Sequence, residues 1–432
     1  MSLTKQSVCR LAQAGLMGVF AIILMRPYEL PDPFGLGTPN WTAWCAALGA
    51  LTLLAQWLSG VKPSSAVTWP LAAYIGIAAV NTIVSVDRVN SAWWLASMAA
   101  NVAIFYAAAG TARVFRNGAR AWLAFLYASI TLLLLLATEH HAELGLLSRP
   151  KGYAIPLGWS GYPELAMLGA VHVALLVAAV QTGTRRLAWL AALQLPLSLA
   201  ALALLYSRGS WVAVALVIAA AIAILVARQG QVRRLAIPAV VAAALVGTLV
   251  VKNATLRHLM TGGADAQISG YTIEVASPEM RLEIWRRTLH LIADHPFGGI
   301  GPGNFQQVFE RVYNPQVNND GRRGVHAHND WLQQFGELGL PGGIAYAVLW
   351  AAVLMVGWKR AAGRGDFAAV GSLLALVAIA GTNLLTNMFF MTTGGSGRLH
   401  TLAWVLFALV AGERPSGDPV TPVTAAAATS TP

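Results

Sequence analysis

The sequence predicts an all-α integral membrane protein of about twelve transmembrane helices, with one large helical loop between the ninth and the tenth. Hydrophobic residues make up 56% of the chain and charged residues 11%, against about 25% charged in an ordinary soluble domain. Apolar stretches near the ~20 residues that a bilayer core requires recur along the chain. A single long polar segment, 252–331, interrupts them.

Candidate spans lie near 11–25, 41–59, 66–86, 92–110, 120–138, 163–181, 187–206, 210–227, 235–251, 339–358, 367–390 and 398–412. The first follows Lys5 and Arg10 and runs into Arg26-Pro27-Tyr28 without a small-residue cleavage site, so it reads as a membrane helix and not a signal peptide. The tightest connector is Ser207-Arg208-Gly209, between spans seven and eight. These elements divide the chain into helices 1–9 (1–251), the loop (252–335), helices 10–12 (336–412) and a tail (413–432) whose Pro, Thr, Ser and Ala content cannot build a core.

Basic residues orient the bundle. One set of connectors holds Lys62, Arg113, Arg116, Arg120, Arg185, Arg186, Arg228, Arg233, Arg234, Lys359, Arg360 and Arg364, and the tails add Lys5, Arg10 and Arg414. The opposite short connectors hold only Arg26, Arg88, Arg149, Lys151, Arg208 and Arg398. Both termini therefore belong inside and the long loop outside. The net charge of +11 is mostly this topology signal, which argues against a nucleic-acid footprint. Cys9 and Cys45 sit near opposite ends of a two-helix hairpin, too far apart for the ~4.4–6.8 Å Cα separation of a disulfide. They read as free, buried thiols.

Irregular backbone cannot face lipid, so the loop must fold by itself or cap a cavity among the helices, and its pattern favours the cap. Pro278 to Asp294 has helical periodicity, placing Arg281, Trp285, Thr288 and Ile292 on one face and Arg286 and Arg287 elsewhere. A cation on an inward face is expensive unless an anion waits there. The run His295-Pro296-Phe297-Gly298-Gly299-Ile300-Gly301-Pro302-Gly303-Asn304 ends that helix. It is either a structural turn or a phosphate cradle, although no strand precedes it and no Gly-Lys-Ser/Thr follows.

Next come His326-Ala327-His328-Asn329-Asp330 and the breaker Gly339-Leu340-Pro341-Gly342-Gly343. With His328, Leu332 and Phe335 along one helical face, His328 is expected at the mouth of the bundle. Its unperturbed pKa of about 6.5 suits a general base, while an interfacial structural histidine is the plainer reading. His326, His328, Asp330 and Glu337 raise the possibility of zinc, but no Cys cluster or His-Glu-X-X-His supports it, so no metal is expected. Arg208 either faces a cavity or snorkels towards headgroups, and Gly209 beside it leaves room for a ligand. Trp41, Trp69, Trp93, Trp94, Trp122 and Trp159 lie near span ends, where an interface belt explains them.

Together, Ser207-Arg208-Gly209, the Arg281-X-X-X-Trp285 helix leading to His295-Pro296 and Gly299-Ile300-Gly301, and His328-Asn329 with Gly339-X-X-Gly342 resemble the O-antigen ligase superfamily. The resemblance covers the whole architecture and implies a GT-C-like glycosyltransferase in the bacterial inner membrane, with both termini cytoplasmic and the active site facing the periplasm. It implies transfer of O-antigen from undecaprenyl diphosphate to lipid A–core oligosaccharide, with inversion and without a metal or cofactor. His328 would be the general base, and Arg208 and Arg281 would hold the diphosphate. His326, Asn329, Trp285, Arg286 and Arg287 would help bind substrate, and Arg322 and Arg323 would attract anionic groups at longer range.

The same superfamily includes O-antigen polymerases and protein O-oligosaccharyltransferases. An end soon after span twelve favours a ligase over the longer protein-glycosylating relatives. A secondary transporter would be expected to show two similar halves. The halves here are unequal. A scaffold role would leave Arg208, Arg281 and His328 free to vary without effect.

Overall fold

The computed structural model describes residues 40–58, 60, 65–114, 118–143, 162–205, 207–228, 265–268, 271–274, 278–313, 326–385 and 397–412, with residues 7, 11, 14, 15, 17 and 248. Ten of the expected spans appear as helices. They are α1 (Asn40–Leu58), α2 (Thr68–Val84), α3 (Arg88–Val114), α4 (Gly118–Glu143), α5 (Tyr162–Thr182), α6 (Arg185–Leu204) and α7 (Arg208–Ala227), then α10 (Asp330–Arg364), α11 (Phe367–Asn383) and α12 (Gly397–Gly412). Between them stand α8 (Pro278–Asp294), α9 (Phe305–Val308) and a π turn, Phe309–Tyr313. The ninth span, most of the first, Cys9, the Cys45 side chain, Arg322, Arg323 and the tail lie outside the described residues.

Five helices are long and apolar enough to cross a membrane, within Arg88–Ala112, Leu165–Thr182, Arg185–Leu204, Gly209–Ala227 and Asp330–Gly363. Shorter apolar helices pack among them. The chain is a membrane protein. α11 is buried along nearly its whole length and packs against α5, α7, α10 and α12. α6 instead leaves Leu187, Trp189, Leu190, Leu193 and Leu197 exposed, an apolar face that suits hydrocarbon.

Without a hydrophobic drive in lipid, small residues and interhelical hydrogen bonds hold such bundles together. Gln56 of α1 donates to the Ala107 carbonyl and to Thr111 of α3 (2.8 and 3.2 Å), Gln181 of α5 to the Ala221 carbonyl of α7 (3.1 Å), and Thr401 of α12 to Asn101 of α3 (3.1 Å). Trp69 and Trp93 are exposed, as a belt requires. Trp94 and Trp122 are buried in the core instead. Their indoles pack between helices, a choice that period alone does not reveal.

The loop is not wholly helical. Asp265–Ile268 (β1) and Tyr271–Glu274 (β2) pair antiparallel, Ala266 opposite Ile273. In the sequence, Ser269-Gly270 separates the two short runs, the spacing of a two-residue hairpin. α8, α9 and the π turn share a small second core of Ile284, Leu291, Ile300, Phe305, Val308, Phe309 and Ala327. α8 and α9 both pack onto α10, which places this core against the bundle as a cap.

α10 is two helices. Gly339 has φ 67° and ψ −174°, outside the helical range. Trp331 and Tyr346 are fifteen residues apart, about 22 Å along a straight helix, yet their ring centroids lie 5.0 Å apart. The short arm before Gly339 therefore folds back along the long arm that follows it.

Candidate functional site

Two turns meet the short arm of α10. The first is the glycine run after α8. Gly299, Gly301 and Gly303 all have positive φ (62°, 93° and 80°), which side chains disfavour. The Ile300 amide donates to the Gly336 carbonyl (3.2 Å) and the Gly301 amide to the Glu337 carbonyl (2.9 Å). The Gly303 amide donates to Glu337 Oε2 (3.0 Å), whose Oε1 accepts from Gln333 (2.9 Å). Gly299 and Asn304 donate to the His295 and Gly301 carbonyls.

An arriving phosphate would find these amides taken, so the structural alternative holds and the cradle does not. Side chains complete the knot. Asn304 donates to Ser85 and Ser91 (2.7 and 3.1 Å), Asn90 to the Gly303 carbonyl (2.8 Å), and Ser91 to the Pro302 carbonyl (2.8 Å). The loop is thereby pinned to the corner between α2 and α3. Asn90 and Ser91 were not singled out from sequence, because their partners lie far away along the chain, and Glu337, raised there only as a carboxylate for zinc, here fastens the glycine turn.

The second turn carries His326, His328 and Asn329. His328 is not on a helical face with Leu332 and Phe335. It precedes the helix, at φ 48°, because Asn329 is the N-cap and its Oδ1 accepts from the Leu332 amide (3.1 Å). A positive φ on a residue other than glycine is uncommon and clusters at functional sites. The fold-back sets Trp331 beside Tyr346 and Trp350, which begin about 10 Å along the long arm from Gly339.

α8 faces this turn as expected. Its buried side carries Ile284, Thr288, Leu291 and Ile292, with Arg281 and Trp285 partly buried at its start. Trp285 Nε1 donates to the Ala327 carbonyl (2.8 Å), clamping the backbone between the two histidines. Arg286 is exposed. Arg287 is engaged with Glu283 (2.8 Å) and the Tyr313 carbonyl (3.0 Å), away from His328.

Asn329 also ties the turn to the membrane core, since its Nδ2 donates to the Leu384 carbonyl just past the end of α11 (3.2 Å). Two residues before Asn383, a Cβ on Gly381 would lie 2.8 Å from Ala213 Cα of α7. Arg208 opens α7 five residues earlier, so its backbone lies at the same end of the bundle as Asn329. The Arg208 side chain lies outside the described residues.

Residues 191–347 match the family model described as O-antigen ligase. This stretch is similar to the O-antigen ligase family. It contains Arg208, Arg281, His326 and His328 and both turns. No curated protein matches the chain.

Electrostatics link the members of this site. Burial lowers the His328 pKa to about 4, and the Arg281 guanidinium and His326 push it the same way. Burial lowers His326 to about 4 as well, opposed by the Glu310 carboxylate of the π turn. Both imidazoles are neutral at pH 7, and His326 Nδ1 meets no hydrogen-bond partner among the described residues. Among those residues no three of His, Cys, Asp and Glu gather as a metal would require. The arrangement offers a cation, two neutral imidazoles and a constrained backbone in one desolvated place, which suits acid–base chemistry beside an anion.

Proposed function

We propose that the chain is an O-antigen ligase, which moves O-antigen polysaccharide from undecaprenyl diphosphate to the lipid A–core oligosaccharide at the periplasmic face of the inner membrane. The observation that carries this reading is the family match, whose stretch contains Arg208, Arg281 and His328 together. In this reading the loop (252–335) bears the chemistry on membrane helices drawn from 1–251 and 336–412, with the tail (413–432) in the cytoplasm.

The acceptor hydroxyl attacks C1 of the carrier-linked sugar from the face opposite the phosphate, and the C1–O bond to the diphosphate breaks with inversion. The hydroxyl proton passes to His328, and the bond electrons leave on the diphosphate. Arg208 and Arg281 receive that charge through forked hydrogen bonds, the role a metal would otherwise fill. Neutral His328 is in the protonation state a base needs. The bound diphosphate would offset the Arg281 charge and raise the proton affinity of His328 as the proton arrives. His326, Asn329 and Trp285 shape the turn that holds His328. Arg286 and Arg287 lie on the outer side of α8, suited to drawing anionic core or headgroups by long-range charge.

The test is lipopolysaccharide gel analysis of a deletion strain complemented with wild type or His328→Ala, alongside an assay of carrier-linked glycan. Long polymer held on the carrier with bare lipid A–core establishes a ligase. Core capped with one repeat indicates a polymerase instead. Unchanged lipopolysaccharide turns the reading towards protein glycosylation or transport.

A further inference from the structure

The end of α11 carries a polar side chain that the mechanism leaves idle. Asn383 is 1% exposed, and neither its Oδ1 nor its Nδ2 meets a hydrogen-bond partner among the described residues. Buried amides are nearly always satisfied, and leaving both ends unmet is costly. Such an amide points to a ligand group that meets it.

Its position is set by its neighbours. The next residue, Leu384, accepts from Asn329, which adjoins His328. α10 and α11 are packed together and run antiparallel through the short connection at Gly365. A Cβ on Gly357 would lie 3.0 Å from Leu373. Ten residues on from Leu373 is Asn383, and ten back from Gly357 is Ala347, beside the Tyr346 ring that touches Trp331. Asn383 is therefore level with the start of the short arm, at the floor of the His328 turn.

We infer that Asn383 binds a sugar ring of the lipid-linked glycan beside His328, through a ring hydroxyl that donates to Oδ1 while accepting from Nδ2. An apolar carrier chain satisfies neither atom, and an ionised phosphate oxygen satisfies only Nδ2. A sugar hydroxyl satisfies both. The inference rests on the reading of the chain as a transferase of lipid-linked glycans.

The experiment uses the full-length protein in detergent, with Asn383→Leu and Asn383→Ala. It measures melting temperature, transfer from polyprenyl diphosphate-linked glycan to lipid A–core, and binding of undecaprenyl diphosphate bearing no sugar. Leucine nearly matches the amide in shape and removes the unmet groups, so that variant should melt at or above the wild-type temperature. Its kcat/KM should still fall at least tenfold while it binds the bare carrier as wild type does. The smaller Asn383→Ala carries the same expectation for transfer should leucine disturb packing. Full transfer by a folded variant overturns the inference, as does an equal loss of bare-carrier binding. A wild-type chain inert towards every lipid-linked glycan overturns the functional reading and this inference with it. Active wild type beside active variants overturns the inference alone.

Discussion

The glycine turn 295–304 and the histidine turn 326–330 both abut the short arm of α10, yet they treat their polar groups in opposite ways. In the glycine turn, backbone amides and the side chains of Asn90, Ser91, Asn304 and Glu337 bond to one another across α2, α3 and α10. The histidine turn holds His328 at positive φ, leaves His326 Nδ1 without a partner among the described residues, and keeps two imidazoles desolvated beside a cation. A saturated turn has nothing left to offer a substrate and serves to hold position. A strained, desolvated turn holds unspent hydrogen-bonding capacity, as a binding site must.

The largest effects should come from removing charge or base at the second turn. Arg281→Ala, Arg208→Ala and His328→Ala should each lower transfer by about 10²–10³ or more, equivalent to roughly 3 kcal/mol in a dry site. The variant proteins should still insert and accumulate. Normal O-antigen attachment in a well-expressed His328→Ala strain would remove the catalytic role of that residue.

The glycine turn should fail differently. A Cβ on Gly299 would lie 2.2 Å from the Glu337 carbonyl oxygen, at φ 62°, so Gly299→Ala should destabilise by about 1–3 kcal/mol or more. Accumulation and melting temperature should drop while the activity of each folded molecule persists. Loss of kcat at unchanged stability would make this turn functional and erase the contrast.

Acid sharpens the comparison further. For a base at the ordinary histidine value of 6.5, kcat/KM would fall about 30-fold by pH 5. With His328 lowered to about 4, the loss at pH 5 should be only about a tenth, the acid limb appearing near pH 4 in a profile of kcat/KM against pH. Stability follows the same sign. Between pH 6.5 and 4 the unfolded chain binds more protons at His326 and His328 than the folded one. Their contribution is thus fully present above pH 6.5 and is lost as pH falls through that window. An acid limb at pH 6.5 would mean that His328 is solvated during turnover.

The smallest effect belongs to the outer face of α8. Arg287 is paired with Glu283 at the surface, an arrangement worth little in stability. Arg287→Ala should leave melting temperature nearly unchanged and lower transfer only slightly, by a loss of long-range attraction that added salt would also produce. A tenfold loss of transfer would extend the binding site to that face.

Much of this site was legible in the chain. The bounds of α8 and the inward placement of Arg281 and Trp285 follow from helical period, and the break at Gly339 from its glycine and proline neighbours. The place of His328 ahead of the helix, in the turn that leads into the folded-back arm, was not legible. A period of 3.6 residues reports which side of a helix is apolar, but not that an interruption folds the helix back on itself. The glycine run was equally open, because a run of turn residues looks the same whether its amides meet Glu337 or a phosphate. The β1–β2 hairpin had a signal in Ser269-Gly270, hidden within a segment that otherwise reads as helix.

By itself, the sequence determined the membrane class, the order of the helices, and the identities of the cations and imidazoles in and near the long loop. Those properties follow from hydropathy and local periodicity, which act over a few residues. Tertiary structure alone decided that Asn329 meets Leu384 and that Arg281 shares an electrostatic environment with His328. It also decided that the Asn383 amide, unmet among the described residues, lies beside the residue that Asn329 contacts. Each depends on bringing together distant segments, and only packing can do that.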